Sequence, residues 1–226
     1  MKTNLFKTVT LLFGTLFVMC WGALASSQSL QVTLTDAEGE RVSDAVVELV
    51  LPEAIRAQFS GGEGAIIDQV DKEFVPTITT IIVGSKIIFP NSDDILHHVY
   101  SFSPVNTFDI PLYGKDVDAR FIEEFPRAGV VEIGCNIHDW MLAYIYIAES
   151  SKVAISNEKG IAEIRDLPAG SFPVRIWHSR LPRNTEYVMA NATTTASGVA
   201  ELEVSLQLER DRRIRRAPSA NRTRYK

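Results

Sequence analysis

The stretch Cys135-Asn136-Ile137-His138-Asp139-Trp140-Met141 constrains this chain more than any other, because it sets a thiol, an imidazole and a thioether at i, i+3 and i+6. A soft thiolate beside an imidazole, with a weak thioether nearby, is the donor set of a copper electron-transfer site. Such a site needs a second imidazole from elsewhere, and Leu96-His97-His98-Val99 offers one well upstream. The chain has four histidines, at 97, 98, 138 and 178, so three of the four fall in these two short motifs. Each residue alone is unremarkable. A buried free Cys is usually a small hydrophobe, and a His or Met near a strand end usually packs. Their combination points to a one-electron copper protein.

The rest of the chain bounds that reading. With 226 residues there is room for one large or two small domains, and 46% hydrophobic with 23% charged residues describes a globular protein. The net charge of -5 hides an asymmetry. From Glu209 to Lys226 there are eight Lys or Arg and two acids, a local +6, which leaves -11 on residues 1–208. Nucleic-acid binders carry basic residues on the folded body, so this acidic body argues against nucleic acid as a partner.

Residues 1–25 read as a cleavable signal peptide. Lys2 and Lys7 supply positive charge, Thr8 to Ala23 is an apolar run, and Ala23-Leu24-Ala25 is a small-x-small cleavage site. The run is short for a membrane span, so the expected mature chain has no transmembrane anchor and is periplasmic. Met19 before Cys20 is bulky where a lipoprotein signal needs a small residue. Cleavage removes Cys20 and leaves Cys135 with no disulfide partner. In an oxidising compartment a lone thiol survives by burial or by holding a metal, and the motif around Cys135 favours the metal.

Short strands separated by turns fill the chain. Leu30, Val32 and Leu34 alternate with polar residues, and Ala45 to Val50 is a more apolar strand. Ser60-Gly61-Gly62-Glu63-Gly64 is a linker candidate. Further strands are expected at 78–83, 86–89, 99–102, 121–122, 130–133 and 143–147, with Pro90 to Asp94 as the turn that delivers His97. No long amphipathic helix is evident. The pattern predicts an all-β protein built as a β-sandwich.

The segment from Phe74 to Ala148, roughly a third of the chain, resembles the cupredoxins, and amicyanin in particular. The resemblance rests on Gly84, Phe89 with Asn91, His97-His98-Val99, and the Cys135–Met141 loop with its C-x2-H-x2-M spacing. It implies a cupredoxin Greek-key sandwich over residues 66–149 holding one copper ion, with His97, Cys135 and His138 as strong ligands and Met141 as the axial one. Adjacent residues in an extended chain point to opposite sides, so only one of the paired histidines can face the metal, and the match selects His97. Two departures stand out: the family usually has Asn where this chain has His98, and amicyanin-like loops usually have Pro where it has Ile137. The segment is also shorter than a free-standing cupredoxin.

The flanking segments resemble a second small sandwich of the carboxypeptidase regulatory-like (transthyretin-like, Ig-like) kind. Asp36 to Gly39 with Asp44-Ala45-Val46-Val47 supplies its early half, and Asn157 to Gly160 followed by Asp166-Leu167-Pro168-Ala169-Gly170 its later half. The expected layout is one discontinuous sandwich, 27–60 plus 150–208, with the cupredoxin inserted; tandem order is the alternative. This layout is similar to bacterial proteins called methylamine utilisation proteins. His178, after Trp177, is expected to be structural.

Two imidazoles, a thiolate and a weak thioether suit both copper oxidation states, so the expected role is a one-electron carrier serving an unidentified redox protein partner. By the resemblance, the His138 edge emerges through an apolar patch beside Trp140, Met141 and Leu142, where partners dock. A catalytic metal needs an open coordination position; four protein donors leave none, so no enzymatic activity is expected. The alternative is a copper carrier or chaperone without a redox role. The basic tail, residues 209–226, is expected to be disordered and to offer an electrostatic contact with an anionic surface.

Overall fold

The computed structural model describes residues 28–117, 122–195 and 198–211. The segment expected to be a signal peptide, residues 1–25, and nearly all of the basic tail lie outside these residues. The protein is all-β. Its helical content among the described residues is the single turn α1 (Glu53–Arg56) and a 3-10 turn after it. No described helix is long and apolar enough to cross a membrane.

The strands run β1 (Ser29–Asp36), β2 (Val46–Leu49), β3 (Ala65–Ile66), β4 (Asp68–Val70), β5 (Glu73–Val75), β6 (Ile78–Ile82), β7 (Lys86–Ile88), β8 (His97–Ser101) and β9 (Phe108–Tyr113). They continue as β10 (Ile122–Glu124), β11 (Gly129–Cys135), β12 (His138–Ala148), β13 (Val153–Ile155), β14 (Ile161–Arg165), β15 (Gly170–Trp177), β16 (Val188–Thr194) and β17 (Val199–Leu206).

The two flanking segments pair with each other. β1 lies between β14 and β17, and β2 lies between β13 and β15, with β16 outside β15. The alternation in β1 explains its orientation: Leu30, Val32 and Leu34 are fully buried while Gln31 and Thr33 are only half-buried. Between β1 and β2 the Asp36 carboxylate accepts the N–H groups of Glu38 (3.1 Å) and Glu40 (2.8 Å), and Gly39 takes the positive φ of 85°. The core of this half joins Leu30, Val47, Leu49, Val174 and Ile176.

The middle of the chain forms a five-stranded sheet, β6-β12-β11-β8-β9, faced by a small β10-β7-β3 sheet. Their shared core holds Phe74, Ile87, Phe89, Val99, Phe125, Val131, Ile133 and Ile145, and it also contains Cys135 and Met141. The eleven-residue β12 ties everything together. Met141, Ala143, Ile145 and Ile147 point into this core, while Tyr144 and Tyr146 on its other face meet Trp177 at ring separations of 5.3 and 6.3 Å. Val46, Ile78, Tyr146, Ala148 and Trp177 fill the seam between the halves.

The seam also buries a charge. Glu48, 1% exposed, accepts from the Tyr146 hydroxyl (2.7 Å), the Glu149 N–H (2.7 Å) and Arg175 Nη1 (3.0 Å). Burial pushes its carboxyl above the ordinary carboxylate range despite these donors. Leaving such a group unpartnered would be expensive, so the three bonds fix how β2, β12 and β15 meet.

Candidate metal centre

β11 and β12 are joined by only Asn136 and Ile137, so Cys135 and His138 face each other across the tightest of connections. The ladder then slips: Gly134 pairs with Leu142, whereas Cys135 pairs with His138. Asp139, Trp140 and Met141 therefore have no partners across the ladder. Such a bulge re-aims side chains near functional sites, and Met141 turns inward to 2% exposure. Beside it, an added Cβ at Gly134 would lie 3.0 Å from the Tyr100 ring. Glycine is what lets β8 lie this close to the strand that ends in Cys135.

His97 enters from β8. Its ring is fully buried, with Nδ1 3.9 Å from the Cys135 Sγ. His138 Nδ1 lies 3.7 Å from the same sulfur, and the two imidazole centroids are 4.9 Å apart. All three donor atoms fall within 4.8 Å of one another; among the described residues this is the one such cluster of His, Cys and acidic groups. His98 faces the opposite way. Its Nε2 meets Asp109 Oδ1 at 2.7 Å and its ring packs on Tyr100. His178 sits beyond β15 with Nδ1 accepting the Arg180 N–H at 3.1 Å, outside the cluster.

The spacing fits a metal ion. Bonds of about 2.3 Å to sulfur and 2.0–2.1 Å to nitrogen, set at 120°, require sulfur-to-nitrogen edges of about 3.8 Å. The observed 3.7 and 3.9 Å edges match. Two imidazoles and one thiolate at this spacing, with a thioether in the same buried cluster, match the donor chemistry of a one-electron copper site.

The protein prepares the sulfur for this. Burial alone would raise the Cys135 thiol, but His97 and the backbone N–H groups of His98 and Ile137 all bond to the sulfur and hold it below the ordinary thiol range. Burial would likewise lower His97, yet its bonds to Cys135 and Asp93 raise it. Asp93 shows the mirror image: burial would raise its carboxyl, and bonds from His97, Lys72 and Asp71 hold it low. His138 is lowered, first by burial, then by the charges of His97 and Lys72.

Asp93 escaped the sequence reading, where it was one residue of a turn. Its Oδ2 accepts from His97 Nε2 at 2.7 Å, which leaves Nδ1 as the donor atom on the side of Cys135. An acid four residues before the upstream His was the available signal. The expected apolar patch is also differently composed. Met141 is buried, Trp140 and Leu142 are half-buried, and the exposed apolar side chain in the loop is Ile137.

No protein-family model matches the chain, and no curated protein does. Solved structures that match part of it include cupredoxins and a copper-containing reductase. A purple cupredoxin from Nitrosopumilus maritimus is 20% identical with a TM-score of 0.32, over 37% of this chain and 98% of that one. An oxidised amicyanin variant is 17% identical with a TM-score of 0.33, over 37% of this chain and 81% of that one. A copper-containing nitrite reductase from Thermus scotoductus is 20% identical with a TM-score of 0.35, and the match spans 43% of this chain but only 27% of the reductase.

Proposed function

We propose that the protein is an exported type 1 copper protein that carries single electrons between redox partners. On this reading His97, Cys135 and His138 hold one copper ion and Met141 is its axial ligand. The observation that carries it is the approach of His97 Nδ1 (3.9 Å) and His138 Nδ1 (3.7 Å) to one Cys135 Sγ, with the three donor atoms within 4.8 Å of one another. Bound there, copper would supply a one-electron couple.

The chain's own residues do the rest. Cys135 and His97, both buried, exclude water from one side of the site, while half-buried His138 brings an imidazole edge to the surface beside exposed Ile137. A redox protein docking on that edge would exchange its electron there. His97, Cys135 and His138 sit at strand ends, the last two flanking a two-residue connection, and Met141 lies within β12, so the donors have little freedom to move when the charge changes. That stiffness favours an electron carrier over a copper chaperone, which must release its ion. Four donors leave no open position for substrate, so we assign no catalysis.

The test is a visible spectrum after adding Cu(II). An intense thiolate-to-copper charge-transfer band is expected in the native protein, and Cys135→Ser should abolish it while the far-UV circular dichroism stays native. A folded Cys135→Ser variant that keeps the band would refute the assignment.

A further inference from the structure

The β4–β5 hairpin is built in an expensive way. Its two-residue turn, Asp71-Lys72, has φ of 53° and 60°, the primed-turn geometry that Asn-Gly or Asp-Gly ordinarily fills. Lysine in the left-handed region is strained where glycine is not, and strain of this kind persists where the surroundings over-determine it. The surroundings here are Asp93. Its Oδ1 accepts the Asp71 N–H at 2.7 Å and its Oδ2 the Lys72 N–H at 2.8 Å, and the same Oδ2 meets His97 Nε2 at 2.7 Å. On the other side of the turn, the Lys72 carbonyl accepts Trp140 Nε1 at 3.0 Å. The Trp140 ring packs against His138 with centroids 5.3 Å apart. The hairpin is itself pinned to the loop before β8, with Ser92 Oγ on Asp68 Oδ2 at 2.7 Å and the Ser92 N–H on the Gln69 carbonyl at 3.0 Å.

We infer that Asp93 and the Asp71-Lys72 turn form one clamp that positions both imidazoles, Asp93 acting on His97 directly and the turn acting on His138 through Trp140. The inference rests on the copper reading of the site. Neither Asp93 nor Trp140 is a ligand in that reading; both are positioning residues. A carboxylate bonded to the far nitrogen of a ligating imidazole fixes its tautomer and raises its basicity, which favours the higher oxidation state of the metal. The turn makes the two imidazoles mechanically dependent on each other, although they enter on different strands.

Asp93→Asn tests the first arm. One orientation of the amide keeps an oxygen for His97 and turns its NH2 toward the Asp71 N–H; the other turns the NH2 toward both His97 and Lys72. Either way the charge is lost and one donor faces another. Cu(II) affinity is expected to fall about 10–100-fold, with Cu(I) affinity falling less; a tenfold change in their ratio raises the reduction potential by about 59 mV. Trp140→Phe tests the second arm, since it keeps a ring against His138 and deletes the bond to Lys72. It should shift the copper electron-paramagnetic-resonance parameters, and the double variant should depart from additivity in potential because both act through one turn. A wild-type potential and affinity ratio in Asp93→Asn, or strict additivity in the double variant, would overturn the clamp. Failure of the copper reading has a different signature. The native protein would give no charge-transfer band, while the Nε2–H proton resonance of His97 in the metal-free protein would still depend on Asp93, which would support the clamp as a device that orients imidazoles.

Discussion

Replacing Ile137 by proline isolates one hydrogen bond to the candidate copper thiolate. Two backbone N–H groups reach the Cys135 sulfur, one from His98 and one from Ile137. Proline has no N–H, so the substitution deletes the second and leaves the first. A donor on the sulfur draws electron density from it, which weakens its support of Cu(II) more than of Cu(I). Taking the bond's differential worth as ~1 kcal/mol, and 59 mV per tenfold for one electron, its loss lowers the potential by about 40 mV. Ile137 is 47% exposed, so deleting its side chain should disturb little packing, and Ile137→Ala corrects for what it does disturb. Protein-film voltammetry measures the potentials. Because proline also restricts Asn136, the charge-transfer band must stay at its native energy to show that the turn still delivers both donors. With the band intact, a Pro variant level with or above the Ala control would show that this bond does not tune the site.

Two other outcomes follow from the geometry. His97→Ala should bleach the copper spectrum, whereas His98→Ala, which loses a contact with Asp109, should leave it nearly unchanged; the reverse result would move the ligand assignment by one residue. For Glu48, whose folded-state carboxyl lies above its ordinary 4.5, the folded protein binds the proton more tightly than the unfolded chain. Its contribution to stability therefore falls as pH rises from about 4.5 through the raised folded value. Urea denaturation should show native stability minus Glu48→Gln stability shrinking over that window, and a difference that grows with pH would contradict the burial argument.

The His97-Cys135-His138 cluster was legible because two of its members sit in one short motif whose spacing is set by a two-residue connection, and because only one of the paired histidines can face inward, the resemblance selecting His97. The alternation of Leu30, Val32 and Leu34, and the apolar run from Val130, gave strands where the structure has them. Other elements gave no such signal. The strand β16, Val188–Thr194, gives a weak signal because its inward positions include the small Ala190 and Ala192 and its outward ones the polar Asn191 and Thr193; pairing with the preceding strand β15 holds it in the sheet. The β4–β5 hairpin was missed for a sharper reason: Asp-Lys lacks the glycine that marks a primed turn, and what holds it is the Asp93 carboxylate, 22 residues after Asp71 and 21 after Lys72. Likewise nothing in the sequence set Glu48 apart within the Ala45–Val50 strand; the pairing of β2 with β15 and the contact with Tyr146 of β12 enclose it.

That last point bears on what the flanking strands do for the site. β12 begins at His138 and ends against β2 and β15, where Tyr146 is held by Glu48 and Trp177. A strand rises about 3.3 Å per residue, so the seam anchors a rod whose other end carries an imidazole. β11, bearing Cys135, is paired along nearly its full length to that same rod. His97 reaches the cluster from β8, which meets β11 at Tyr100 and Gly134 and is fixed from outside by Asp93. Each donor is thus held by an element whose support lies away from the cluster itself. A loop-borne site would need bound metal to order it; here the strands supply the order first, which suits the proposed electron carrier, whose centre would keep one geometry in two charge states.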